Sequence, residues 1–341
     1  MPWGLLILLA VGLALGWLLT LAYTIYLLTH PPRRTYAWAV ARNLPGDPSE
    51  VIHSDPPLRG LRFTEWTFCS RGRDLPVWDI EGLNPRGPIV IITHGWADSR
   101  IVMLPRVVGF AAKASRVIAW DLPGQGSAGG VCTLGTREVD DLLTLIEELV
   151  GPNLAHRTEE TGRHTDLVLY GFSLGAGVSI AAAVQRPERV LAVIAEAPYR
   201  VPPTPARNVL RLRALPYVTT LPAAMAVVGL WLGQGLEWLR PSIQRTRDGA
   251  PGFDRAQLAA QLPSTVPLLV IHGEIDPVCP IEDGREIAAA APSGRFVPIA
   301  GGGHNNLWTT DALALQTTTC VSDFLDELES SRVPADGAPA P

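Results

Sequence analysis

The longest apolar stretch of the chain comes first. GLLILLAVGLALGWLLTLAYTIYLL, from Gly4 to Leu28, contains no charged residue. At about 25 residues it is long enough to cross a hydrocarbon layer of about 30 Å with some tilt. Trp3 stands at one end and Tyr23 and Tyr26 near the other, where interfacial aromatics belong, and HPPRR closes the segment with prolines and charge. The pattern predicts a transmembrane anchor over residues 1–30. AWAVA at 37–41 offers small-residue sites for leader cleavage, but the apolar run is too long for a leader and no basic segment precedes it. Arg33, Arg34 and Arg42 follow the span, which predicts that the rest of the chain stays on the cytoplasmic side, although short N-termini also insert the other way.

Prolines at 31, 32, 45, 48, 56 and 57 then suggest a stalk over residues 31–57. Beyond it, short β-rich runs alternate with helical patterns. LRFTEWTFC (61–69) and LPVWDI (75–80) read as an opening hairpin. PIVIITH (88–94), RVIAWD (116–121), DLVLYG (166–171), VLAVIAE (190–196) and VPLLVIHG (266–273) are continuous apolar runs, the mark of strands buried on both faces. RFVPIAG (295–301) completes the series. TREVDDLLTLIEELV (136–150) and LGAGVSIAAAVQ (174–185) read as helices between them. The predicted fold class is α/β: a mostly parallel eight-stranded sheet with helices on both faces, in one domain over 58–330. Regular alternation lapses between Glu196 and Val266, so residues 196–265 are expected to form a cap inserted between strands 6 and 7. Residues 331–341 are expected to be a disordered tail.

Composition narrows the classes. The chain has 341 residues, 47% hydrophobic and 18% charged, a low charged share that fits a globular domain joined to an apolar anchor. A net charge of -5 without basic runs leaves no footprint for nucleic acid. Cys69, Cys132, Cys279 and Cys320 lie far apart, with no C-x-x-C pair to hold zinc or a redox disulfide.

In a parallel sheet, ligands meet the carboxyl ends of the strands, so the residues there are the ones that matter. GFSLG fits G-x-S-x-G in its required setting, a strand before and a helix after. Gly171 and Gly175 let the two elements approach within a sharp turn that exposes Ser173 as a nucleophile. A serine hydroxyl needs a base, and the base needs an orienting carboxylate. HGEIDP places Asp276 just past one strand, and GGGH places His304 past the next. Glu274 or Glu196 could supply the carboxylate instead of Asp276. Developing negative charge calls for N–H donors, which the amides of Trp96, after Gly95, and Leu174, at a helix N-terminus, are placed to supply. His94 and His272 end strands and read as buried hydrogen-bonding residues; with His304 they form no local zinc motif, and neither metal nor cofactor is expected.

HGW, WDLPGQGSAGG, YGFSLGAG, HGEIDPVCP and GGGH together resemble the α/β-hydrolase superfamily, and within it the membrane-anchored serine hydrolases near the serine aminopeptidase and monoacylglycerol-lipase branch. The resemblance implies the α/β-hydrolase fold and hydrolysis of an ester, thioester or amide through an acyl-enzyme, with no metal or organic cofactor. DLPGQGSAG matches the family's glycine-rich turn, which shapes the pocket floor rather than binding phosphate. ALPYVTTLPAAMAVVGLWLGQGLEWL (214–239) is apolar enough to pass for a second span. A crossing there would separate Asp276 and His304 from Ser173, so it reads as a lid over an acyl pocket or dipping into the interface, or else as an extra helix pair packed on the core. The expected substrate is therefore a small acyl ester or lipid met at a membrane. An aminopeptidase remains open, with Glu196, Glu237 or Asp283 as the carboxylate for a free amine, as does a non-catalytic binding protein. Ser173 stands where a dehalogenase would need aspartate. Self-association is not readable.

Overall fold

A computed structural model describes residues 2–54, 57–150, 166–212, 219–233 and 254–331. Helix α1 (Pro2–Thr29) is followed by the short helix α2 (Tyr36–Val40) and a two-stranded antiparallel ribbon, β1 (Ile52–Ser54) with β2 (Pro57–Arg59). The remaining strands are β3 (Phe63–Ser70), β4 (Arg73–Glu81), β5 (Ile89–Thr93), β6 (Arg116–Trp120), β7 (Leu167–Phe172), β8 (Val190–Glu196), β9 (Leu268–Gly273) and β10 (Gly294–Ile299). They form one sheet in the order β10-β9-β8-β7-β5-β6-β4-β3. From β6 to β10 neighbouring strands pair in parallel, while β4 pairs antiparallel with both β3 and β6.

The unbroken apolar runs have their expected cause. Ile89, Ile91, Leu167 and Leu169 point into one core while Val90, Ile92, Val168 and Tyr170 point into the other, so both faces of each strand are buried. The first face is covered by α4 (Glu138–Val150), α5 (Leu174–Gln185), α8 (Arg255–Ala259) and α9 (Ile281–Ala290). The second is covered by α3 (Leu104–Ala111) and α10 (Asp311–Ser330). Of the cap, α6 (Pro203–Leu212) and α7 (Leu221–Trp231) are described, and Leu210, Met225 and Val228 join the first core. Much of 214–239, and the tail from 332, lies outside the described residues. At 11 residues, α7 is too short to cross a bilayer.

The proline-rich segment differs from a free stalk. Ala39 and Val51 are buried in the second core, and the Gly60 and Leu61 amides donate to the Val51 and Pro48 carbonyls. Frequent prolines signal irregular backbone, which here lies packed on the domain. Helix α1 is long and apolar enough to span a membrane, and most of its length is exposed. One face of its last turns is not: Leu21, Ile25 and Leu28, at helical spacing, pack with the first core, and Thr24 between them is buried.

The β7–α5 joint leaves no room for a side chain at either of its glycines. A Cβ on Gly175 would stand 2.1 Å from the Thr93 carbonyl oxygen, and one on Gly171 would stand 2.2 Å from that of Gly175. Gly175→Ala is therefore expected to lower stability by about 1–3 kcal/mol or more, whereas Gly129→Ala, with open space around it, should change little. Equal denaturation midpoints for the two variants would contradict this reading of the joint.

Candidate active site

The joint between β7 and α5 sets the geometry. Ser173 has φ 52° and ψ -107°, a strained conformation for a side-chain-bearing residue, and its N–H donates to the Glu196 carbonyl at 2.8 Å. The strain lifts the side chain out of the helix into a cavity of about 170 Å³ shared with His304. Asp276 sits in the turn after β9, and His304 in the loop after β10. Residues 173, 276 and 304, spread over 131 positions of the chain, thus stand after β7, β9 and β10 of one sheet.

His304 Nδ1 donates to Asp276 Oδ2 at 2.7 Å, which leaves the Nε2 lone pair free to take a proton. Asp276 Oδ1 accepts the Val278 and Cys279 amides at 2.7 and 2.9 Å, and His272 Nε2 lies 3.5 Å from Oδ2. Burial alone would raise the Asp276 pKa, but the hydrogen bonds from His272, His304 and the Cys279 amide outweigh it and hold the carboxyl below the usual carboxylate range. The Ser173 hydroxyl lies 4.0 Å from Cys279 Sγ and makes no hydrogen bond to His304. Such catalytic contacts commonly close only when substrate is bound.

Trp96 follows β5, and its side chain and that of Leu174 line the same cavity. Neither residue's backbone N–H has an acceptor among the described residues. The Trp96 loop is braced by a residue that sequence reasoning passed over: Gln125 Oε1 accepts the Ala97 amide at 2.6 Å, with Ala97 at φ 60°. Asp121 Oδ1 and Oδ2 in turn accept the Arg100 and Ser127 amides. The glycine-rich turn thus supports the cavity rim.

Other candidates fall elsewhere. Glu196 is fully buried and accepts from Arg106 Nη2 at 2.6 Å, Trp308 Nε1 at 2.7 Å and the Tyr170 hydroxyl. That network lies behind the strand end, so Glu196 serves neither His304 nor a substrate amine. Asp283 accepts the Arg200 amide and is not on the cavity wall; Glu237 is outside the described residues. Glu274 is exposed. His94 accepts the Leu122 amide at Nε2 and donates from Nδ1 to the Gly95 carbonyl; burial pushes its pKa down to about 4, so it is neutral. His272 is buried against the Cys279 carbonyl. Asp276, Cys279 and His304 do bring one donor atom each within 4.8 Å of one another, a set that could meet a soft divalent ion. An ion there would occupy the carboxylate and imidazole that a serine nucleophile requires.

Comparison with known proteins decides the family. The profile of the Alpha/beta hydrolase family matches residues 89–315. The chain belongs to that family. This alpha/beta hydrolase is 27% identical, over 241 residues, to a pimeloyl-[acyl-carrier protein] methyl ester esterase of Nitrosomonas europaea, covering 64% of this chain and 89% of that one. An esterase structure from Pyrococcus furiosus superposes with a TM-score of 0.57 at 19% identity, covering 78% of this hydrolase and 91% of the esterase. A membrane phospholipase A structure gives a TM-score of 0.53 at 16% identity over 96% and 98% of the two chains. These structural likenesses show a shared fold.

The depressed Asp276 carboxyl gives a pH signature. A group whose folded pKa is lowered contributes stability that is full above its unfolded pKa, about 3.9, and lost as pH falls through the folded value. The unfolding free-energy difference between wild type and Asp276→Asn is therefore expected to stay constant above about pH 5 and to shrink below about pH 4. A difference that grew on acidification would reverse the assignment.

Proposed function

We propose that this alpha/beta hydrolase is a membrane-bound serine esterase, cleaving acyl esters, lipid esters or thioesters among them, through an acyl-enzyme on Ser173. The observation that carries the reading is the 2.7 Å His304–Asp276 hydrogen bond beside a strained serine, on one cavity. The family, and the relatives named as esterase and phospholipase, support an enzyme of the carboxylesterase or lipase type acting on a small ester.

In this mechanism His304 Nε2 takes the Ser173 proton as Oγ attacks the ester carbonyl carbon. The carbonyl electron pair moves to oxygen, where the amides of Trp96 and Leu174 stabilise it; Leu174, at the N-terminus of α5, adds the helix dipole. Collapse of the tetrahedral intermediate expels the alcohol, which takes the proton from His304. Asp276, ionised throughout, orients the imidazole and offsets its positive charge. Water, deprotonated by His304, then releases the acid and restores Ser173.

Apolar cavity walls supplied by Leu27, Leu28, Val209 and Leu210 favour an acyl chain over a peptide. Burial of Glu196 removes one carboxylate that a free amine would require. The exposed apolar length of α1 supports its role as a single membrane span, and the arginines after it support a cytoplasmic catalytic domain.

The test is hydrolysis of p-nitrophenyl esters from acetate to decanoate by the full-length protein. Turnover is expected to favour the longer chains, and Ser173→Ala is expected to lose on the order of 10⁶-fold in kcat while keeping its fold. Wild-type rates in that variant would refute Ser173 as nucleophile, and a preference for peptides with a free amine would favour an aminopeptidase.

A further inference from the structure

Helix α1 does more than reach the membrane. Its last two turns are built into the hydrolase: Thr24 is fully buried and its Oγ1 lies 2.7 Å from Thr220 Oγ1, at the start of the cap helix α7. The Leu28 carbonyl accepts the Trp96 indole N–H at 3.0 Å, and the Thr29 carbonyl accepts the Cys132 amide at 2.9 Å. Just beyond, Arg34 pairs with Asp98 in the loop that carries Trp96. The helix thus grips the cap on one side and the loop of the candidate oxyanion donor on the other.

The cavity beside Ser173 and His304 takes part of its wall from this helix, through Thr24, Leu27 and Leu28, and faces α6 through Pro205 and Val209. Helix α7 packs on α1 and exposes Val227, Leu230 and Trp231, which sustain an apolar surface beside the anchor where water would penalise it. Depth follows from length. The stretch from Trp3 to Tyr23 rises about 31 Å at 1.5 Å per residue, about the thickness of a hydrocarbon core. Thr24 to Thr29 then falls where the hydrocarbon ends and the ester groups of membrane lipids begin.

We infer that the last two turns of α1 form the acyl-selectivity wall of the active site, and that the substrate is a bilayer-resident acyl ester whose chain lies between α1 and α6. This rests on the esterase reading of Ser173 and on α1 as a membrane span. The chain leaves hydrocarbon only to enter a cavity lined by hydrocarbon, while the ester reaches Ser173 at its own depth. Leu27 and Thr24 set how much chain the cavity accepts.

Two experiments on the full-length protein in lipid nanodiscs test this. In the first, an alkyl fluorophosphonate with a diazirine at the chain end labels Ser173 and is photolysed. Cross-links to the peptide containing residues 20–30 are expected. Ser173 labelling with cross-links confined to other peptides overturns the wall assignment, and failure to label Ser173 overturns the esterase reading itself. Leu27→Trp, which fills the wall, is expected to lower the decanoate-to-butyrate ratio of kcat/KM about tenfold, with Leu15→Trp on the exposed length of α1 as the comparison. Equal shifts in both variants count against the wall.

In the second, a fluorogenic acyl ester lipid is placed either in the same nanodisc as the enzyme or in separate vesicles at equal total concentration. Turnover at least tenfold faster in the shared disc is expected. Equal rates overturn entry from the bilayer and favour a soluble acyl ester as substrate.

Discussion

How closely β5, β7 and α5 approach one another governs the rest of this molecule. Two glycines, Gly171 and Gly175, stand where any side chain would overlap a carbonyl oxygen, and the residue between strand and helix must turn back sharply. Ser173 absorbs that turn in a left-handed backbone, held by its hydrogen bond to the Glu196 carbonyl. The strain is compensated by packing on both sides and by the buried network of Glu196, Arg106, Tyr170 and Trp308 behind the strand end. A buried ion pair of this kind adds little net stability, but losing one partner would leave a charge without compensation. Its evident contribution is to fix the β8 end on which the Ser173 amide rests.

From that fixed point the other groups need only short loops. Asp276 is held by two amides of its own turn, which fix its carboxylate independently of His304. His304 is further restrained by Phe172, whose ring centroid lies 5.0 Å from the imidazole, and the Arg106 guanidinium lies over the Phe172 ring at 4.6 Å from its centroid. Preorganisation of this sort lowers the reorganisation needed at the moment of proton transfer. Helix α1 is tied into the same assembly through Trp96, so a helix able to span a membrane and the candidate site share one packed unit.

Much of the fold was legible in the chain itself. Runs such as IVII and LVLYG are apolar without alternation because both sheet faces are covered, and a strand needs no partner's identity to reveal that. Ser173, Asp276 and His304 stood out as candidates because each sits past a strand beside glycine or proline, where local chemistry marks a turn. Arg106, Gln125 and Cys279 carried no such mark: their partners lie 90, 28 and 106 residues away in sequence, and spacing alone does not pair them. What the proline-rich segment packs against was hidden for a related reason, since proline reports local backbone only.

The N-terminal helix shows the division most clearly. Its length, its lack of charge and its aromatic ends are properties of consecutive residues, so the sequence by itself determined that it is a helix able to cross a membrane. That Thr24, Leu27 and Leu28 are also walls of a cavity containing Ser173 was decided only by the tertiary structure. Hydrophobicity is non-directional: a leucine on an exposed helix face and a leucine on a cavity wall are the same letter, and only the arrangement of the Trp96 loop, α6 and α7 around the helix distinguishes them.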